Sequence, residues 1–324
     1  FTADLDDEAY DQLIGFLERY DGGDTAPDAD DGADDDGVGA GDADGDGAGA
    51  ADDDAAPDAP TAASPSRDDV DCSGEGLGAD DTFAYTTAYY VVDGALGEVC
   101  LGEPDERLTQ AWDALATITP QGQLTDLGVF TAIESREDGD EVTLAFVSAL
   151  DADGSLFQMA VNLDAYVEDP AEAQLTLAHE FSHVFTALPS QVDRSAEAED
   201  DCTTYFNGEG CYLDDSIMNQ WIEEFWGDGL IDQVDPFADA TGADGQERCD
   251  ADPGFFGAYA ASTPEEDFAE SFSVYVFDVE TFSDEQQARI DWIAAQPGLS
   301  EFRERAENAG LTGLPNQFDE CGLG

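Results

Sequence analysis

Between residues 83 and 163 apolar and polar positions alternate in strand-like fashion, and beyond residue 170 apolar positions return every three or four. The stretch FAYTTAYYVVDGALGEVCL predicts a hairpin turning at Asp93-Gly94, a pair suited to a two-residue turn. EVTLAFVSALDADGSLFQMAVNL predicts a second hairpin, turning at Asp153-Gly154. Between them, DERLTQAWDALATI has helical spacing. EAQLTLAHEFSHVFTAL, DDSIMNQWIEEFW, PEEDFAESFSVYVF and DEQQARIDWIAAQ read as later helices. Strands first and helices afterwards predict an α+β fold. Residues 71–324, about 250 residues, suit one domain with a β-rich N-terminal lobe and a helical C-terminal lobe.

Residues 1–20 place Leu5, Ala9, Leu13, Phe16 and Leu17 at helical spacing, as in a short amphipathic helix. Residues 21–70 are almost wholly Asp, Gly, Ala and Pro, with little to bury, which predicts a disordered acidic linker. Its DADGDG run has part of a calcium-loop pattern. It lacks the twelfth-position Glu and flanking helices, so calcium is not expected there.

Composition then changes the picture. Seventy-eight acids face nine bases, all of them arginine, for a formal charge of −69. Such a charge strains the compact state through self-repulsion. In about 1 M salt the screening length falls to roughly 3 Å, and the strain largely disappears. With 42% hydrophobic and 10% aromatic residues, the chain still has material for a core. The combination predicts a halophile's protein. It argues against nucleic acid or anionic membrane as a partner.

Six cysteines occur without a C-x-x-C pair, which favours disulfides and an oxidising compartment. CTTYFNGEGC predicts a Cys202–Cys211 loop, while Cys72, Cys100, Cys249 and Cys321 can pair in three ways. No apolar run approaches the roughly 18 residues of a membrane span. The chain starts at Phe1, so a leader is expected to have been removed or to lie outside it. The expected location is extracellular: secreted, or held at the cell surface through the N-terminal region.

The only two histidines, His179 and His183, stand four apart, with Glu180 after the first. Random placement gives this H-E-x-x-H pattern roughly once in two thousand trials. Asp169 and Pro170 predict the helix start, with Glu172 completing a capping-box pattern, and Pro189 marks its end. On that helix both imidazoles point the same way, opposite a stripe of Leu177, Phe181, Val184 and Leu188. One zinc ion fits two such imidazoles, with the Glu180 carboxylate in reach of metal-bound water. The plainer alternative is a pair of structural histidines on a buried helix.

Zinc needs a third protein ligand, and no histidine is left. In FFGAYAASTPEEDFAESFSVYVF, Thr263 and Pro264 open a helix on which Glu266 and Glu270 share a face. Glu266 also stands where it would complete a capping box with Thr263. Spacing leaves both glutamates open as the third ligand.

At these residues the chain resembles the zincin metallopeptidases of the gluzincin type, especially the branch of anthrax-lethal-factor-like peptidases and Pro-Pro endopeptidases. There a helix resembling EDFAESF follows H-E-x-x-H, and a tyrosine stands seven residues ahead of the ligand glutamate, as Tyr259 does here. HEFSHVFTALPSQVD, CTTYFNGEGC and YAASTPEEDFAES also resemble secreted bacterial proteins with this motif. The resemblance covers about residues 140–280. The gap between the two motifs is wider here than in the compact toxin enzymes. The resemblance implies a zincin-like two-lobed domain binding Zn2+ through His179, His183 and Glu266. It further implies Glu180 as general base, Tyr259 facing the oxyanion, and Glu270 as an acid behind the ligand imidazole.

The expected function is a zinc-dependent endopeptidase acting on a peptide or protein substrate. The resemblance also implies SLFQMAVNL as the edge strand that pairs with the substrate backbone. The alternative is a non-catalytic halophilic surface or matrix protein with a structural or degenerate zinc site.

Overall fold

Asp93 and Gly94 both adopt positive φ, 51° and 73°, the backbone a tight two-residue hairpin requires. They join β1 (Phe83–Val92) to β2 (Ala95–Leu101) in an antiparallel pair, as expected. The second expected hairpin also forms. β4 (Ala145–Ala149) and β5 (Phe157–Asn162) pair antiparallel about the turn at Gly154, which has φ 65°. The computed structural model describes residues 70–78, 83–135, 143–196, 198–227, 229–237 and 240–322. The expected helix at 1–20 and linker at 21–70 lie outside the described residues, except Val70, which packs beside Cys72.

One strand that was not expected, β3 (Leu127–Ser135), organises the sheet. The order is β2-β1-β3-β5-β4, antiparallel except for the β3–β5 pair, which is parallel. β5 therefore lies inside the sheet, buried at every position. This corrects the expectation that SLFQMAVNL forms an edge: among the described strands, the edges are β2 and β4. Phe157, Met159 and Val161 leave one face and Gln158 and Ala160 the other, and both sets are buried, as in a strand covered on both sides. Helix α1 (Glu106–Ile118), started by the Asp105 side chain on the Arg107 N–H, buries Leu108, Ala111, Trp112, Leu115 and Ile118.

The short α2 (Leu163–Glu168) leads into α3 (Pro170–Thr186). The Asp169 carboxylate caps α3 by accepting from the N–H groups of Ala171 and Glu172, as the sequence pattern required. A two-stranded ribbon follows, β6 (Val192–Asp193) with β7 (Cys211–Tyr212). The remaining helices are α4 (Ile217–Phe225), α5 (Gly242–Ala251), the single turn α6 (Gly257–Ala260), α7 (Pro264–Phe277), α8 (Asp284–Ala294) and α9 (Ser300–Ala309). The fold is mixed α+β. Strands gather before residue 163, save the ribbon, and helices dominate after it.

The centre of the helical part is α7, buried on nearly all sides, which requires neighbours all round it. Against α3 it builds an aromatic seam. Phe185 meets Phe272 with ring centroids 5.3 Å apart, and Phe302 of α9 closes on Phe272 at 5.1 Å. This seam fixes the two helices that carry the candidate ligands. Disulfides join Cys72–Cys100, Cys202–Cys211 and Cys249–Cys321, resolving the pairing the sequence left open. They fit an extracellular protein. Among the described residues no helix is long and apolar enough to cross a membrane.

Candidate metal centre

One turn of α3 separates His179 from His183, and the two rings turn their Nε2 atoms to within 3.3 Å of each other. The first turn of α7 brings Glu266 to the same point. Its Oε2 lies 2.9 Å from His179 Nε2 and 3.7 Å from His183 Nε2. Thr263 caps α7 by accepting from the Glu266 N–H, so the backbone, not the carboxylate, serves the cap. The side chain is thereby left to face the imidazoles.

The three separations average what a tetrahedral ion with ligands at about 2.0–2.1 Å demands, about 3.3 Å between donors. Glu266 Oε2 is buried, and His179 Nε2, 2.9 Å away, is its nearest partner, though not one of good hydrogen-bond geometry. Two imidazole nitrogens and a carboxylate oxygen converging in this way form a donor set that suits a divalent cation. His179, His183 and Glu266 can hold a metal ion.

The charges in the site form one coupled unit. Burial would lower the pKa of His179, but Glu270 and Glu266 push it well above the usual imidazole value. Burial likewise works against protonated His183, and Glu266 overcomes it. Burial would raise Glu266, yet His183 and His179 hold it well below the carboxylate range. Glu266 is therefore a ready anion, and a bound cation would replace imidazole protons.

Glu180, 9% exposed on α3, is pushed upward chiefly by burial; the histidines oppose that rise, and Glu266 and Glu270 add to it. Glu270 Oε1 sits 3.6 Å from His179 Nδ1, on the ring nitrogen away from Glu266 but beyond hydrogen-bond length. Tyr259 is 41% exposed, its ring centred 6.2 Å from that of His179. Its phenol is held strongly protonated by burial and then by Glu266, Glu180 and Glu270, so it faces the same acidic group. The six residues singled out in the sequence thus meet in one place.

Sequence reasoning missed what holds that place. Asp267, next to Glu266 and fully buried, accepts from the indole N–H groups of Trp221 (3.1 Å) and Trp226 (2.9 Å). The Arg289 guanidinium pairs with it at 3.0 Å. These partners come from the wide gap between the motifs and from α8. One signal was available: Arg289 lies on the buried stripe of α8 with Gln286, Ile290 and Ile293, where a charge requires a counter-ion. Glu265, on the other side of Glu266, accepts from the Tyr212 hydroxyl at 2.8 Å. Nothing in the spacing pointed to that bond.

Comparison of the chain with protein-family models, with curated proteins and with solved structures finds no match.

Proposed function

We propose that this chain is a zinc-dependent endopeptidase of the zincin type, working outside the cell in high salt. The observation that carries the reading is the convergence of His179, His183 and Glu266 on one buried point, with Glu180 beside the first ligand. When bound, zinc supplies Lewis acidity and brings the pKa of its water towards about 7.

The chain's own residues supply the rest. Glu180 takes a proton from the attacking water and returns it to the leaving amine; burial makes its carboxylate more basic, as a general base needs. The Tyr259 phenol, kept protonated, donates to the developing oxyanion, a type of contact worth about 3 kcal/mol. Glu270 steadies the His179 ring from its Nδ1 side. β4, at the sheet edge and packed against α3, is the strand on which an extended substrate would lie, in a cleft between a β-rich and a helical lobe. The acidic surface and three disulfides support an extracellular, saline setting.

Glu180→Gln tests the reading. Zymography in high salt should show chelator-sensitive hydrolysis by the parent chain and none by the variant, while both keep zinc by elemental analysis. A variant that cleaves at the parent rate removes Glu180 as the base. A parent that binds zinc yet cleaves nothing removes the peptidase.

A further inference from the structure

The disulfide loop between the two motifs reaches both ligand helices. At the end of α3, the N–H groups of Gln191 and Val192 donate to Leu188 O and lead directly into β6. β6 pairs with β7 through Val192 and Tyr212. The Cys202–Cys211 bond closes the loop immediately before Tyr212. Inside it, the Tyr212 N–H donates to Tyr205 O, and Thr204 Oγ1 donates to Tyr212 O. Tyr205 also stacks on the Tyr212 ring, with centroids 6.3 Å apart. Tyr212 is consequently 3% exposed and fixed on every side. Its hydroxyl donates to Glu265, the residue before Glu266 in the first turn of α7, and also meets the Asn207 side chain of the loop.

That turn is the least self-supported part of the helix, because its N–H groups lack partners within it. Its three consecutive acids point three ways: Glu265 to Tyr212, Glu266 to the histidines, and Asp267 to the tryptophans and Arg289. Asp267 grips the turn from the core and Tyr212 grips it from the loop.

We propose that Tyr212, delivered by the Cys202–Cys211 loop, is a positioning residue that aims Glu266 at the metal by fixing Glu265. The inference rests on the metal site proposed above. Groups that orient a ligand without touching the metal typically govern 10–100-fold in affinity. Tyr212 acts through one further residue, so the lower end of that range applies.

Tyr212→Phe removes one hydroxyl and leaves the ring packing in place. Zinc affinity would be read by competition with a chelating dye in high salt. The visible spectrum of the cobalt(II)-loaded chain and the melting temperature of the metal-stripped chain complete the set. The variant should bind zinc about tenfold more weakly, shift the cobalt bands, and melt within a few degrees of the parent. Glu265→Gln keeps an amide oxygen that can accept from Tyr212, and should retain most of the affinity. Unchanged affinity and cobalt bands in Tyr212→Phe overturn the proposal, as does a loss confined to the metal-stripped melting temperature. A loss in Glu265→Gln but not in Tyr212→Phe also overturns it, because charge alone would then be acting. A parent chain that takes up no metal overturns the metal reading itself, and this inference with it.

Discussion

Replacing Asp267 with asparagine tests what anchors the ligand helix. The carboxylate has no exposure and serves three donors. Oδ2 takes both indole N–H groups, at 3.1 and 2.9 Å, and Oδ1 takes Arg289 Nε at 3.0 Å. An amide keeps one oxygen and turns an NH2 group towards donors, so either the indoles or the guanidinium loses its acceptor. Arg289, 3% exposed, would retain Asp252 at 3.7 Å as its one carboxylate partner, beside the rings of Phe225 and Phe255. Breaking one side of a buried pair costs roughly 3–5 kcal/mol; the Asp252 contact and the burial cost of the lost carboxylate place this case near about 3 kcal/mol. For a domain of this size that corresponds to a melting temperature lower by about 6–12 °C. Circular dichroism at pH 7.5 in high salt measures it, and tryptophan emission should change with it, since both indoles lose or shift their acceptor. A fall of less than 2 °C would refute the claim that this network holds α7.

Three further outcomes follow from the same structure. Glu266→Gln should lower zinc occupancy more than Glu270→Gln, because only Glu266 approaches both Nε2 atoms; the reverse order, read by elemental analysis, exchanges their roles. Burial raises Asp126 and Asp267 to about 6 from 3.8, so the folded chain binds protons more tightly than the unfolded one; stability then falls as pH rises through the interval from about 4 to 6. Protonation of His179 and His183 has the same sign in the metal-free chain, which should melt higher at pH 5.5 than at 7.5; the opposite order contradicts these assignments. Finally, with a charge of −69 the chain should be compact and active near 1 M salt and expanded in dilute buffer, measured by light scattering and activity together; full compactness without salt removes the halophile reading.

Much of the architecture was legible because it is local. The Asp93-Gly94 turn, the Asp169 and Thr263 caps and the 264–277 helix each depend on residues within a few positions of one another. So does the facing of His179 and His183, since a helix places every fourth residue on one side. The place of β3 was not legible, because its pairing with β5 is parallel and distant in sequence. The edge position expected for β5 came from the resemblance, and the structure instead places it between β3 and β4.

The sequence by itself determined the two hairpins, five of the helices, the facing of the two imidazoles and a large surplus of negative charge. Spacing could not choose between Glu266 and Glu270, nor among three disulfide pairings. Only the tertiary structure decided those: α3 and α7 meet along an aromatic seam that brings Glu266, and not Glu270, level with both Nε2 atoms. Periodicity reports which way a side chain leaves its own helix. The angle and depth at which two helices cross are set by the packing of many distant residues, and the candidate ligands meet at that crossing.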